Sequence, residues 1–146
     1  MEKIWIINGV NLNFIGKREI HLYGRLSFDE YFERLKKKFN TFSLNYCQSN
    51  LEGQLVEFIQ QAFLDKAIGI VINPGAYSHT SVAIADAIAS VEIPVVEVHI
   101  TNIYSRETFR HQSITGSKAN AVISGAGLFS YDLAINYIQN LIVHEK

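Results

Sequence analysis

Hydrophobic positions in this chain form short continuous runs that alternate with stripes whose period is about 3.6 residues. The runs predict strands at 4–7, 68–73, 95–100 and 121–125, and the alternation of Phe42, Leu44 and Tyr46 predicts an edge strand over 42–48. The stripes predict amphipathic helices from 27 to about 40, from 49 onward, over 82–89 and over 128–143. Ser27 with Glu30, and Ser49 with Glu52, have the S-x-x-E spacing of a capping box, so we expect both serines to cap helices.

Strands that alternate with helices predict an α/β fold with a doubly wound, five-stranded parallel sheet. Because crossovers between parallel strands are almost always right-handed, the flavodoxin-like order 2-1-3-4-5 is the most economical topology. We expect a single domain over 1–146, since the length suits one domain and no linker or repeat interrupts the pattern. In this order the loops after Asn8 and Asn73 open into one crevice beside His99, which ends strand 4.

Charge, cysteine count and missing motifs exclude several classes of binding partner. The net charge of −1 gives no reason to expect binding to nucleic acid or to an acidic membrane surface. The apolar run at the start of the chain is too short for a signal peptide or a membrane span, and the single cysteine, Cys47, fits a reducing cytoplasm. Metal-ligand spacing, a G-x-S-x-G elbow and a GxGxxG loop are absent, so we expect a small-molecule substrate and no metal or cofactor.

The first loop runs for about 18 residues before the first helix, which exceeds the usual connection and indicates a lid or binding loop. It carries Arg18 and Tyr23, and a guanidinium near a phenol can stabilise the phenolate. A free tyrosine titrates near pH ~10, and each unit of depression needs about 1.4 kcal/mol. The alternative is that Tyr23 is a packed aromatic residue and Arg18 a solvent-facing charge.

Two histidines lie at the predicted crevice. His79 follows strand 3, where it could face the crevice or make a structural hydrogen bond in the loop. Glu97 and His99 lie two apart in strand 4, so their side chains share one face, and His99 could act as a general acid oriented by Glu97. A buried Glu–His pair without catalytic function is the alternative.

Three charged residues follow the same strands. Arg106 and Arg110 are four apart, hence on one side of a helix or turn, and could bind a carboxylate or form surface charge pairs. Asp86 on the third predicted helix reads as an exposed acid.

Four segments together resemble one family. NGVNLNFIGKREIHLYG, QSNLEGQLVEFI, INPGAYSHTSVAIADAI and VEVHITNIYSRETFRHQS, in this order and with these gaps, are similar to the type II 3-dehydroquinate dehydratases, shikimate-pathway enzymes with a flavodoxin-like fold. The resemblance spans nearly the whole chain. It implies dehydration of 3-dehydroquinate to 3-dehydroshikimate by trans elimination, without a Schiff base or a metal.

The resemblance also implies catalytic roles. Tyr23, as a phenolate whose charge Arg18 stabilises, takes the proton alpha to the substrate ketone. Asn11, through a bound water, stabilises the resulting enolate, as an oxyanion hole does. His99, oriented by Glu97, protonates the departing hydroxyl.

By the same resemblance, other residues hold the substrate. Asn73 and His79 bind ring hydroxyls, and Arg110 binds a further hydroxyl. The backbone amides of Ile100 and Thr101, with the Thr101 hydroxyl, receive the carboxylate.

The resemblance implies an assembly as well, a homo-dodecamer built as a tetramer of trimers, in which Asp86 reaches a neighbouring site. The chain departs from the family pattern at Val10 and Ile20, where proline is usual, so we expect a lid over 17–23 that is less ordered without ligand.

A flavodoxin-like module that binds a small ligand without catalysis is the alternative function. A phospho-receiver would have clustered aspartates after strands 1 and 3, where this chain has Asn8 and Asn73. An FMN carrier would have a hydroxyl-rich phosphate loop after strand 1, where this chain has the amide-rich NGVNLN.

Overall fold

The five predicted strands form one sheet in the structure, a computed structural model that describes residues 1–17, 21 and 25–145. The strands are β1 (Lys3–Asn8), β2 (Ser43–Gln48), β3 (Gly69–Asn73), β4 (Val95–His99) and β5 (Ala121–Ser124). All neighbouring strands are parallel, in the order β2-β1-β3-β4-β5. The predicted topology is confirmed, and the segment at 42–48 is an edge strand.

Four α-helices connect or follow the strands in the part of the chain that the structure describes. They are α1 (Phe28–Lys38), α2 (Glu52–Leu64), α3 (Val82–Ser90) and α4 (Phe129–Glu145). The bounds differ from the predicted ones by a few residues at most, and α2 begins three residues after Ser49. None of the helices in the described ranges is long and apolar enough to cross a membrane.

The two serines predicted as caps behave differently. Ser27 caps α1, because its side chain accepts a hydrogen bond from the Glu30 N–H. The prediction for Ser49 is wrong, since Leu51 occupies the N-cap position of α2. The Ser49 hydroxyl accepts from the Leu51 N–H at 3.0 Å and donates to Gln54, while the Ser49 N–H donates to the carbonyl of Asn8 at 3.1 Å and continues the pairing of β2 with β1.

The hydrophobic core lies on both faces of the sheet. Helices cover both faces of this parallel sheet, so the side chains that point to either face are apolar. On one face Ile6 and Val71 pack against Leu35 of α1 and Ile138 of α4. On the other face lies a second cluster, in which residues of β1, β3 and β4 pack against α2 and α3.

The carboxyl ends of β1 and β3 lie side by side, with Asn8 opposite Asn73. The Gly9 N–H donates to the carbonyl of Asn73 at 2.7 Å and draws the two following loops together. A Cβ atom on Gly9 would lie 2.5 Å from the carbonyl oxygen of Pro74, so only glycine permits this approach. The two loops then diverge and leave a crevice at the position that open α/β sheets use for ligands.

Candidate active site

A cavity of about 110 Å³ lies at the carboxyl edge of the sheet, between the ends of β1, β3 and β4. Segments that are far apart in sequence supply its polar lining, which consists of Asn11, Asn73, His79, His99, Thr101, Arg106 and Arg110. Apolar side chains, among them Leu12 and Ile15, close one side. The size and the mixture of amide, imidazole and guanidinium groups suit a small polar, anionic molecule.

Most of the residues predicted for the site meet at this cavity. The predicted residues that line it are Asn11, Asn73, His79, His99, Ile100, Thr101, Arg106 and Arg110. Glu97 lies behind His99, and Asp86 is exposed on α3, outside the lining. Arg18 and Tyr23 lie outside the described residues, as does most of the lid segment expected to be less ordered.

Asn11 enters the site in a left-handed backbone conformation, with φ of 67°, which asparagine tolerates better than most residues. Its N–H donates to the side-chain oxygen of Asn50 at 2.9 Å. The Asn50 oxygen also accepts from Gln48, and the Asn50 carbonyl accepts from the Tyr77 hydroxyl. Asn50 therefore connects the loops that follow β1, β2 and β3.

The acid–base pair predicted from period two exists as a buried hydrogen bond. His99 Nε2 lies 2.8 Å from Glu97 Oε2, the Glu97 side chain is fully buried, and His99 is 6% exposed. Ser113 donates its hydroxyl proton to Glu97 Oε2 at 2.5 Å, and Thr115 donates to Oε1. Both oxygens of the Glu97 carboxylate are therefore engaged in hydrogen bonds.

The hydrogen bonds fix which nitrogen of each histidine remains for chemistry. A carboxylate can only accept, so His99 donates from Nε2 to Glu97 and its Nδ1 is left for a ligand. The Gln112 carbonyl likewise accepts from His79 Nδ1 at 2.8 Å, which leaves His79 Nε2. The two rings are nearly parallel, with centroids 6.3 Å apart and an interplanar angle of 22°.

Asn73 has its amide orientation set by two partners. Its Oδ1 accepts from the Gly75 N–H at 3.1 Å, and its Nδ2 donates to the Tyr131 hydroxyl at 3.1 Å. Tyr131 in turn donates to Asn8 Oδ1 at 2.6 Å. Burial raises the pKa of Tyr131 far above its usual range, so its hydroxyl keeps the proton that it donates.

Arg110 comes from a short 3₁₀ turn, Thr108–Arg110, beyond β4. Its Nε donates to Glu107, and this hydrogen bond lowers the pKa of the Glu107 carboxyl. With Nε engaged, the terminal nitrogens of the guanidinium are the groups that can bind an anion or a hydroxyl in the cavity.

Comparison with known proteins identifies the family. A family model described as Dehydroquinase class II matches residues 2–139. The chain belongs to the class II dehydroquinase family. It is 46% identical over 142 residues to the 3-dehydroquinate dehydratase of Clostridium perfringens (strain ATCC 13124), covering 96% of this chain and 99% of that protein. It is 47% identical over 135 residues to the 3-dehydroquinate dehydratase of Helicobacter hepaticus, covering 91% of this chain and 85% of that protein.

A solved structure agrees with this membership of the class II dehydroquinase family. The type II dehydroquinase from Butyrivibrio crossotus matches with a TM-score of 0.91 at 44% identity, covering 94% of this chain and 97% of that one. The fold class predicted from the alternating pattern is confirmed by this likeness and by the strand order.

Other residues that organise this cavity are absent from the sequence predictions. Ser113 and Thr115 contact Glu97, Tyr131 contacts Asn73, and Asn50 contacts Asn11. The one available signal was the buried Glu97 itself, since a buried carboxylate requires partners, but the sequence does not say which residues supply them. Among residues 1–17, 21 and 25–145, no group of three or more His, Cys, Asp or Glu side chains could hold a metal ion.

Proposed function

We propose that this protein dehydrates 3-dehydroquinate to 3-dehydroshikimate in the shikimate pathway. The membership of the class II dehydroquinase family supports the reaction, together with relatives that are named 3-dehydroquinate dehydratase. The observation that carries the proposal is the His99–Glu97 pair, because it presents one imidazole nitrogen to a small polar cavity. Such a pair supplies the proton donor that departure of a hydroxyl requires.

The elimination begins at the carbon alpha to the ketone. Tyr23, as a phenolate beside Arg18, removes one proton from this carbon, and the C–H electron pair becomes that of an enolate. Both roles rest on the family resemblance. Asn11 stabilises the enolate oxygen through a bound water. Its hydrogen bond to Asn50 holds it at the cavity wall, which favours such preorganised stabilisation.

The second half expels water. The enolate collapses to form the carbon–carbon double bond, the carbon–oxygen bond breaks, and the departing hydroxyl takes a proton from His99. Because the Nε2 proton of His99 faces Glu97, the proton that is transferred comes from Nδ1 of the imidazolium. Glu97 stabilises that positive charge and fixes the plane of the ring.

Substrate binding in this proposal uses the remaining lining residues. Asn73 and His79 bind ring hydroxyls, and their hydrogen bonds to Tyr131 and Gln112 favour fixed orientations. Arg110 binds a further hydroxyl.

The carboxylate of the substrate is received at the end of β4. Ile100 and Thr101 offer their backbone amides, and Thr101 also its hydroxyl, and both residues line the cavity.

The assembly that we propose is a homo-dodecamer, a tetramer of trimers, in which Asp86 reaches a neighbouring site. The exposure of Asp86 on α3 is compatible with such a contact. Light scattering would test the assembly, and a monomer at micromolar concentration would contradict it. A cytoplasmic location, which rests on the single cysteine, is tested by cell fractionation.

An ultraviolet assay for the conjugated enone formed from 3-dehydroquinate tests the reaction. We expect the wild-type protein to form product, and we expect Tyr23→Phe to lose at least about 100-fold in kcat while it still binds substrate. Tyr104→Phe is the matched control, because Tyr104 is an exposed tyrosine outside the cavity lining. Ligand binding by the wild-type protein without turnover would instead favour a non-catalytic binding module.

A further inference from the structure

We infer that the segment 112–116 positions both imidazoles of the site, and that Ser113 and Thr115 are positioning residues that act on His99 through Glu97. The inference rests on the proposed function, in which His99 is the proton donor. Neither Ser113 nor Thr115 lines the cavity, so they reach the reacting atoms only through the carboxylate.

The direction of each hydrogen bond around Glu97 follows from the donors available. The Gly116 N–H donates to Ser113 Oγ at 2.9 Å, so the single hydroxyl proton of Ser113 is available for Glu97 Oε2. Thr115 donates its hydroxyl proton to Oε1. His99 shares Oε2 with Ser113, so the carboxylate receives three donors and its plane is determined.

Burial keeps water from replacing the Thr115 donor, whereas Ser113 is half-buried. Glu97 and Thr115 are both fully buried. A Cβ atom on Gly116 would lie 2.8 Å from Ser113 Oγ and 2.9 Å from Glu97 Oε2, so the backbone itself closes the space beside the carboxylate. A hydroxyl removed here leaves a buried charge with an unfilled acceptor, and the carboxylate becomes free to rotate.

The same segment holds the other histidine. The Gln112 carbonyl accepts from His79 Nδ1, and the Ile114 N–H donates to the carbonyl of Ser78 at 2.8 Å, immediately before His79. The segment therefore fixes the spacing of the two rings from one side. A shift in it would change the position of the proton donor relative to the groups that hold the substrate.

Removing a hydroxyl should affect turnover more than binding. The residues proposed to hold the substrate keep their own partners, so KM should change less than about threefold, whereas misplacing a proton donor should lower kcat by about tenfold or more. We expect this split for Ser113→Ala and for Thr115→Val, which preserves shape. Thr115→Ser keeps a hydroxyl and should retain most of the wild-type kcat.

Ser117→Ala is the matched control in the same loop, since the Ser117 hydroxyl donates to the Ile114 carbonyl and not to Glu97. It should leave kcat unchanged. Wild-type kcat in both Ser113→Ala and Thr115→Val would overturn the inference, as would equal losses in Thr115→Val and Thr115→Ser. If Thr115→Val fails to fold, Ser113→Ala beside Ser117→Ala decides the question.

A readout that does not need turnover separates this inference from the proposed function. In the wild-type protein the His99 Nε2 proton should give a downfield NMR resonance typical of an imidazole bound to a carboxylate. We expect that resonance to move upfield or broaden in Thr115→Val and to stay in place in Ser117→Ala. An unmoved resonance in Thr115→Val would overturn the positioning role, whether or not the wild-type protein is active. Inactivity of the wild-type protein on 3-dehydroquinate would reject the proposed function and leave the positioning role to the NMR result.

Discussion

The Tyr131 hydroxyl links two asparagines that end neighbouring strands, Asn8 and Asn73. Removing it in Tyr131→Phe leaves a buried amide donor and a buried acceptor without this partner. We expect the free energy of unfolding to fall by about 1–3 kcal/mol, and KM to rise several-fold because the Asn73 amide is no longer held. Denaturant titration and steady-state kinetics measure the two effects.

Tyr137→Phe in the same helix is the control for Tyr131→Phe, since it removes the same atom at a half-buried position. An unchanged KM in Tyr131→Phe, with a stability loss no larger than in Tyr137→Phe, would show that the amide of Asn73 does not depend on Tyr131.

Cys47 illustrates a residue for which the structure predicts low reactivity. Burial raises the pKa of its thiol to about 12, because an apolar environment disfavours the thiolate. The sign is clear: at about pH 8 the folded protein holds a smaller thiolate fraction than an unfolded chain does. We expect slow modification by a thiol reagent in buffer and fast modification in urea, and equal rates in the two conditions would contradict the burial of this thiol.

At the scale of residues, the sequence predicts contacts between residues that are close along the chain. It does not predict contacts between residues that are far apart along the chain. Glu97 and His99 are two apart, so strand geometry alone places them together. Ser113 is 16 residues from Glu97, and Tyr131 is 123 residues from Asn8. Such contacts depend on how loops and helices pack, which local patterns do not encode.

At the scale of elements, the approach of the loops after β1 and β3 depends on one residue without a side chain. Gly9→Ala would place a methyl group 2.5 Å from the Pro74 carbonyl oxygen and 2.7 Å from its carbon. Both partners are backbone atoms, so the loops must separate. We expect a loss of about 2 kcal/mol or more in the free energy of unfolding, together with a reduced kcat/KM.

Gly53→Ala is the control for Gly9→Ala. Gly53 lies in α2, and a Cβ atom there would meet nothing within 4 Å. We expect this substitution to stabilise the protein by about 0.5–1 kcal/mol, because alanine favours the helix, and to leave kcat/KM unchanged. A Gly9→Ala variant as stable and as active as Gly53→Ala would show that the loops do not need the close approach.

The start of a helix is predictable from the sequence where the capping residue bonds only to residues that are close to it along the chain. Ser27 caps α1 because its side chain reaches an N–H three residues on. Ser49 has the same spacing but does not cap α2, because its hydroxyl accepts from the Leu51 N–H two residues on while its N–H continues the pairing with β1. A capping pattern cannot show that a tertiary contact competes for the residue.

For the whole molecule, the order of the strands follows from handedness and alternation, and this is why it could be predicted without side-chain detail. The position of the crevice follows in turn from the order, since Asn8 and Asn73 end the strands that flank the switch point. The chemistry within the crevice does not follow from the order. It required the residue types at Asn11, His79 and His99 and, for the proposed base, the family resemblance.

The single domain expected over 1–146 makes a prediction about unfolding. The two apolar clusters lie on opposite faces of the sheet and share the strands β1, β3 and β4. Neither face can lose its helices without exposing strands whose other face is still covered. Both clusters should therefore unfold in one cooperative transition.

Ile138→Val in the first cluster and Ile59→Val in the second test this cooperativity, since both side chains are fully buried. Each removes one methylene from a packed interior and should lower the free energy of unfolding by about 0.5–1.5 kcal/mol. If the sheet couples the faces, either substitution shifts the unfolding transitions seen by tryptophan fluorescence and by far-ultraviolet circular dichroism together. The protein concentration is kept fixed so that assembly does not alter the comparison. Trp5 packs against the second cluster only, so a fluorescence transition that moves with Ile59→Val and ignores Ile138→Val would mean that the two faces unfold separately and that the chain is not one cooperative domain.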